Sequence, residues 1–193
     1  MISLNMVEGA VAVLTMSRGS VNPLSGEMVE AIRDAVDGLR DSADARALVI
    51  RSDQKHFCAG ADLKERAGMT DEETMDFINQ IGECFLTISA LPFPTIALIH
   101  GAALGGGLEL ALSCDFRLCA EGSELGFPEV SLGIIPGAGG TQRLPRLIGL
   151  SRAKEMIFSA ESVSAQTALG YGLVDDIYGS SELYDRGLEL AKR

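Results

Sequence analysis

The chain has 193 residues, which at about 100 to 200 residues per domain is one compact unit that can bury its own core without disulfide or metal staples. Sixteen Lys and Arg against 27 Asp and Glu leave a net charge of −11, which argues against a broad basic surface for nucleic-acid phosphates but allows a small anion held by a few amides and lysines. With 47% hydrophobic and 22% charged residues the composition is ordinary, so the 22 glycines are the feature to follow.

Along the chain, hydrophobic periodicity alternates between that of a strand and that of a helix. Val11 to Met16 reads as a buried strand. Ser25 then begins a helix through Met28, Val29, Ile32, Val36 and Leu39, and Ala47 to Arg51 is a second buried strand. A loop from Asp53 to Glu65 leads to a capping box at Thr70 and Glu73, which opens a helix running to about Ala90, where the Leu-Pro-Phe-Pro segment 91–94 stops it. Thr95 to Ile99 is a strand, Gly101 to Gly107 a glycine-rich turn, Leu108 to Ser113 a helix and Asp115 to Cys119 a further strand. Helices are expected after Gly137 to Gly140, over Ser151 to Phe158 and over Ser164 to Tyr171, then a strand Val174 to Ile177 and a last helix Ser181 to Lys192. Strands alternating with helices, without repeats or linkers, indicate one α/β domain with buried strands.

The cysteines at 58, 84, 114 and 119 contain no Cys-x-x-Cys pair, and only His56 and His100 could join them, so neither a disulfide framework nor a metal site is expected. The first residues show no secretory or transit pattern and no window approaches 18 uninterrupted apolar residues, so the expectation is a protein off the membrane, in the cytoplasm, or in the mitochondrial matrix if a transit peptide has been removed.

Two glycine elements could carry chemistry. The segment 99–109 (IHGAALGGGLE) turns from a strand through three glycines into a helix, which would let backbone amides at the helix start face a ligand without side-chain obstruction. It matches neither a P-loop nor G-x-G-x-x-G, and taken alone it is equally a tight turn with close packing. The second element, 57–64 (FCAGADLK), places small residues at Ala59, Gly60 and Ala61 between Lys55 and Lys64, which are either solvated lysines or partners for a phosphate. Glu109 sits in the first turn of its helix and Glu129 follows Pro128. Paired carboxylates can divide acid and base roles where burial raises at least one pKa, but each alone is also compatible with a dipole-facing or surface acid. No G-x-S-x-G elbow is present, and His100 reads as a packed structural histidine.

Together FCAGADLKER (57–66), ALGGGLELALSCDF (103–116), GFPEVSLGIIPGAGGTQRLPR (126–146) and SRAKEMIFSA (151–160) resemble the crotonase superfamily, specifically its enoyl-CoA hydratases, over nearly the whole chain. The wording of LKER, LGGGLELAL and GTQRLPR is most similar to the branch containing the methylglutaconyl-CoA hydratases. The resemblance implies a spiral of ββα units in a single domain, residues 1–193, that is short of most of the family's C-terminal helical region. It implies an acyl-CoA thioester as substrate, with no cofactor beyond the coenzyme A of that thioester and no metal. The amides of Ala61 and Gly106 would match the oxyanion hole that grips the thioester carbonyl. Glu109 and Glu129 would match the catalytic pair, either with Glu109 helping to activate the water that attacks C3 and Glu129 supplying the proton at C2, or with the two sharing these roles. Lys55 and Lys64 would be coenzyme A phosphate partners, Ala59, Asp62 and Leu63 would line the pantetheine and adenine path, and Gly105, Pro128 and Gly137 would border the bound substrate. Segment 16–25 (MSRGSVNPLS) is a poor version of the family's Asn-Arg-Pro…Asn-Ala-Leu pattern, which leaves that wall of the site unspecified. Retention of both carboxylates favours hydration over isomerisation, since moving a proton between carbons needs no positioned water. The alternatives are an enoyl-CoA isomerase and a non-catalytic acyl-CoA-binding or assembly subunit. RNA binding, associated with a relative in that branch, is opposed by the −11 charge. A homotrimer or dimer of trimers is the assembly implied.

Overall fold

The computed structural model describes residues 1–193. A hairpin opens the chain: β1 (Ile2–Val7) runs antiparallel to β2 (Val11–Met16), closed by a turn in which Gly9 and Ala10 take positive φ. Sequence periodicity found β2, all of whose residues are buried, and missed β1, an edge strand whose inner residues are exposed and lack strict alternation. Helix α1 (Gly26–Arg40) follows, its N-cap Ser25 accepting from the Met28 amide, and it buries the five apolar residues that the periodicity selects. Strand β3 (Ala47–Ser52) lies parallel to β2. A one-turn helix α2 (Leu63–Arg66) precedes α3 (Asp71–Ser89), whose capping box is formed as expected: Thr70 accepts from the Glu73 amide at 3.2 Å while the Thr70 amide donates to Glu73 Oε2 at 2.7 Å.

The second half repeats a strand–short strand–helix pattern. β4 (Thr95–Ile99), β5 (Ala102–Leu104) and α4 (Gly106–Leu112) form one unit. β6 (Phe116–Ala120), β7 (Glu124–Gly126), a 3₁₀ turn over Pro128–Leu132 and α5 (Gly140–Ile148) form the next. The chain closes with α6 (Leu150–Ser159), β8 (Ser162–Ser164), α7 (Ala165–Tyr171), β9 (Asp176–Tyr178) and α8 (Leu183–Ala191). The first strand of each unit enters a six-stranded sheet of order β1-β2-β3-β4-β6-β9, parallel throughout except for β1, while the short strands build a second sheet β5-β7-β8. Cys58 pairs with Ala103, adding the loop after β3 to the edge of that second sheet. This is the α/β spiral of ββα units implied by the resemblance.

One face of the large sheet packs on the helices that follow its strands, around Phe57, Phe85, Phe127 and Leu14, all fully buried. Helix α8 covers the other face through Leu183, and Gly187 fits against Leu98, where an added Cβ would approach the leucine to 2.6 Å. The expected strand 174–177 is displaced to β9 because Leu173 and Val174 are claimed by the core. Arg117 fixes that turn: its buried guanidinium donates to the carbonyls of Leu173 (2.9 Å), Cys114 (2.6 Å) and Asp115 (3.1 Å) and pairs with Asp175 at 3.5 Å. No helix is long and apolar enough to cross a membrane.

Candidate active site

Both glycine elements converge on one cleft. Segment 57–62 is stitched from two sides: Phe57 and Cys58 amides donate to the carbonyls of His100 (2.9 Å) and Ala102 (3.1 Å), while Gly60 accepts from the Leu24 amide and Asp62 donates to Leu24, both at 2.9 Å. Gly60 has φ +92°, and a Cβ there would stand 2.9 Å from the Leu104 carbonyl and 3.1 Å from the Gly106 amide, so only glycine lets the two loops approach this closely. A Cβ on Gly106 would in turn lie 3.5 Å from the Ala61 amide. The Ala61 amide has no backbone or side-chain acceptor in the protein, and Gly106 is the first residue of α4, where no preceding turn supplies one. Two amide donors therefore stand side by side on the cleft wall.

The β5–β7 pairing brings the carboxylates to the same place. Leu104 is in register with Gly126, and the Gly105 amide donates to the Gly126 carbonyl at 2.9 Å, so Glu129, in the 3₁₀ turn just beyond, comes against the start of α4. At Gly105, with φ +53°, an added Cβ would lie 2.7 Å from Glu129 Oε1. Glu109, one turn into α4, is 3% exposed and its Oε1 accepts from the amides of Ala138 (2.8 Å) and Gly140 (2.7 Å). Burial pushes its carboxyl above the usual glutamate range, and the amides of Gly140 and Ala138 and the charge of Arg143 pull it back. Glu129, 8% exposed, has its Oε2 buried without a hydrogen-bond partner; desolvation, reinforced by the neighbouring Glu109, pushes its pKa up to about 7. The geometry thus separates the two acids: Glu109 is gripped by two amides of the 138–140 turn, whereas Glu129 has one carboxylate oxygen buried without a partner.

Gly105, Pro128, Gly137 and Leu63 are among the residues that line the cleft. Its apolar wall comes from Ile78 and Ile81 of α3 and from Leu132, Ile134 and Ile135. A second, open depression continues from Ala59, Ala61 and Leu63 past Asp62 and Lys64 to Arg18 and Pro23. Lys55 stands apart from both, lining a separate cavity with Arg51, His100 and Tyr184. The Asp62 carboxylate is already committed, capping α2 through the Lys64 amide at 3.1 Å and pairing with Arg18 at 2.8 Å, so its place beside the depression is that of a brace. Burial pushes the thiols of Cys58, Cys84 and Cys114 up to about 12.

Sequence reasoning passed over several residues here. Arg18 and the fully buried Asn22 turn the weakly patterned segment 16–25 into a defined wall: the Asn22 side-chain amide donates to Ser52 Oγ (2.7 Å) and the Phe57 carbonyl (3.1 Å), and its Oδ1 accepts from the Arg18 amide (2.7 Å). The clue was an Asn before Pro, which tolerates the φ of +45° found there. Arg66, which lines the cleft, and Arg143, which reaches back to the Ala138 carbonyl, sit inside quoted motifs, yet nothing in their spacing distinguishes either from a solvated arginine.

Residues 6–193 match the family model described as enoyl-CoA hydratase/isomerase. Mouse mitochondrial methylglutaconyl-CoA hydratase is 45% identical over 94% of this chain and 60% of its own length. An enoyl-CoA isomerase/hydratase of Mycosarcoma maydis is 49% identical over 80% of this chain and 57% of its own. A crystal structure of enoyl-CoA hydratase from Bacillus anthracis superposes with a TM-score of 0.96 at 42% identity, covering 99% of this chain and 75% of that one. The chain thus spans about 60% of the length of the curated relatives.

Proposed function

Because the chain belongs to the enoyl-CoA hydratase/isomerase family, we propose that it adds water across the C2=C3 bond of a trans-2-enoyl-CoA to give a 3-hydroxyacyl-CoA. The observation that carries the proposal is the differentiated pair Glu109 and Glu129 beside the adjoining amides of Ala61 and Gly106. The thioester carbonyl would accept from those amides, which stabilise the charge that develops on its oxygen as C3 is attacked. Glu109, with Oε1 held by two amides, has Oε2 free to orient a water and take its proton as the oxygen bonds to C3. Glu129, its pKa pushed up to about 7 and its Oε2 without a hydrogen-bond partner, would deliver a proton to C2 as the enolate collapses. Isomerisation needs one proton carrier and no positioned water, so two carboxylates at one cleft favour hydration. The acyl chain would lie along Ile78, Ile81 and Ile135, with the coenzyme A moiety leaving past Ala59, Asp62, Leu63 and Lys64. Incubation of a 2-enoyl-CoA in oxygen-18-labelled water tests this. A labelled 3-hydroxyacyl-CoA is expected; an unlabelled 3-enoyl-CoA would instead assign isomerisation, and binding without product a non-catalytic role.

One side chain favours a narrower reading of the substrate. Arg66 is the one cation lining the cleft, and its guanidinium has neither an ion pair nor a hydrogen bond in the protein. An acyl chain ending in a carboxylate would supply its partner, in keeping with the name of the mouse relative. Arg66→Gln should then raise KM for such a substrate about tenfold, the scale of one charge-assisted contact, and leave crotonyl-CoA unaffected. Equal effects on both substrates would remove the reading.

A further inference from the structure

Glu109 is held by a turn, and the turn is itself held. The amides that grip Glu109 Oε1 belong to Ala138 and Gly140, which flank Gly139 just ahead of α5. That arrangement needs Gly139 at φ +110°, a conformation for glycine only, and a Cβ there would run into the Arg143 guanidinium. Arg143, one turn into α5, reaches back and donates from Nη1 to the Ala138 carbonyl at 3.0 Å. It forms no direct ion pair with Glu109, yet it is the one positively charged side chain acting on that carboxylate. We propose that Arg143 is a positioning residue for the reaction: its hydrogen bond to Ala138 locks the 138–140 turn so that both amides point at Glu109, and its charge faces the same carboxylate.

The proposal rests on Glu109 being the water-activating base. An amide pair helps an anion only while aimed at it, and a turn of Ala-Gly-Gly has little stiffness of its own. Arg143 supplies the missing constraint. The groups facing Glu109 are Arg143 from α5 and Glu129 from the 3₁₀ turn; those facing Arg143 are Glu109 and Cys114 at the end of α4. No titratable group of α3, β5 or α6 acts on either. Loss of Arg143 therefore removes an influence that favours the ionised base, with nothing nearby to replace it.

The experiment follows Glu109 directly, by NMR of carbon-labelled glutamate side chains with the resonance assigned through Glu109→Gln, in wild type, Arg143→Gln and Arg143→Lys. In Arg143→Gln the Glu109 titration should move up by about one pH unit, and the Ala138 and Gly140 amide resonances should shift. Arg143→Lys, which keeps the charge without the planar fork, should recover at least half of that movement. In turnover, kcat should fall at least about tenfold with KM within twofold, and the acidic limb of the pH profile should move alkaline by the same amount as the titration. An unchanged titration in both variants overturns the proposal even if kcat falls, because a purely structural role predicts that result. If Arg143→Gln does not fold, Arg143→Met, which also removes the charge and the hydrogen bond to Ala138, decides by the same titration. Absence of hydration by the wild type would refute the proposed function, while the NMR result would still decide the role of Arg143.

Discussion

Replacing Glu129 with glutamine should stabilise the fold at alkaline pH while abolishing its proposed proton donor. Burial and the adjacent Glu109 raise the Glu129 pKa from the ordinary glutamate value of 4.5 to about 7. A pKa raised on folding means that the folded state binds the proton more tightly than the unfolded chain. The stability this contributes is complete below about pH 4.5, falls as pH rises, and is gone above about pH 7. At about 1.4 kcal/mol per pH unit, the ionised carboxylate costs the fold about 3 kcal/mol at alkaline pH. Glutamine keeps the volume and is neutral throughout. Any fixed penalty from an unpaired amide is the same at every pH and cancels when two pH values are compared. Urea unfolding of wild type and Glu129→Gln at pH 5 and pH 8.5 should therefore show the variant gaining most of that energy at the higher pH, a relative midpoint shift of roughly 1 M for a domain of this size. A difference between the two proteins that does not change with pH would refute the reasoning, because Glu129 would then be hydrated or paired in the folded state.

Gly105→Ala should lower hydration at least about tenfold, since the new Cβ would displace the Glu129 carboxylate from 2.7 Å and must adopt a positive φ; steady-state kinetics beside a thermal melt separates the two effects. Asn22→Ala should cost about 3 kcal/mol in chemical denaturation, because it strands the buried Phe57 carbonyl, removes the acceptor of the Arg18 amide and loses the residue type that tolerates the left-handed conformation. A cost below about 1 kcal/mol would mean that water or a neighbour takes its place.

The sequence specified the long elements because their burial is periodic: the apolar residues of α1 and the uninterrupted runs of β2, β3 and β4 leave no other reading. The three-residue strands β5, β7 and β8 were not legible, since so short a stretch carries no period and their formation depends on register with distant segments. At the site, Glu109, Glu129 and the small-residue loops could be picked out by type, but their convergence depends on the pairing of Cys58 with Ala103 and of Leu104 with Gly126. Lys55 shows the limit of proximity in sequence: it flanks the loop on paper, yet the chain turns at His56 and leaves it at a different cavity from Lys64. Segment 16–25 looked indistinct because its order comes from one buried asparagine and one ion pair rather than from a pattern.

The central claim is that Glu109 and Glu129, held in different surroundings, together add water to an enoyl thioester at this cleft. Steady-state hydration of crotonyl-CoA, followed as loss of enoyl absorbance, tests it most directly in wild type, Glu109→Gln and Glu129→Gln. The account predicts turnover by the wild type and a loss of at least about a hundredfold in each variant, the scale of a removed acid or base. Rates near wild type in both variants, or a wild type that binds the thioester without consuming it, would contradict it.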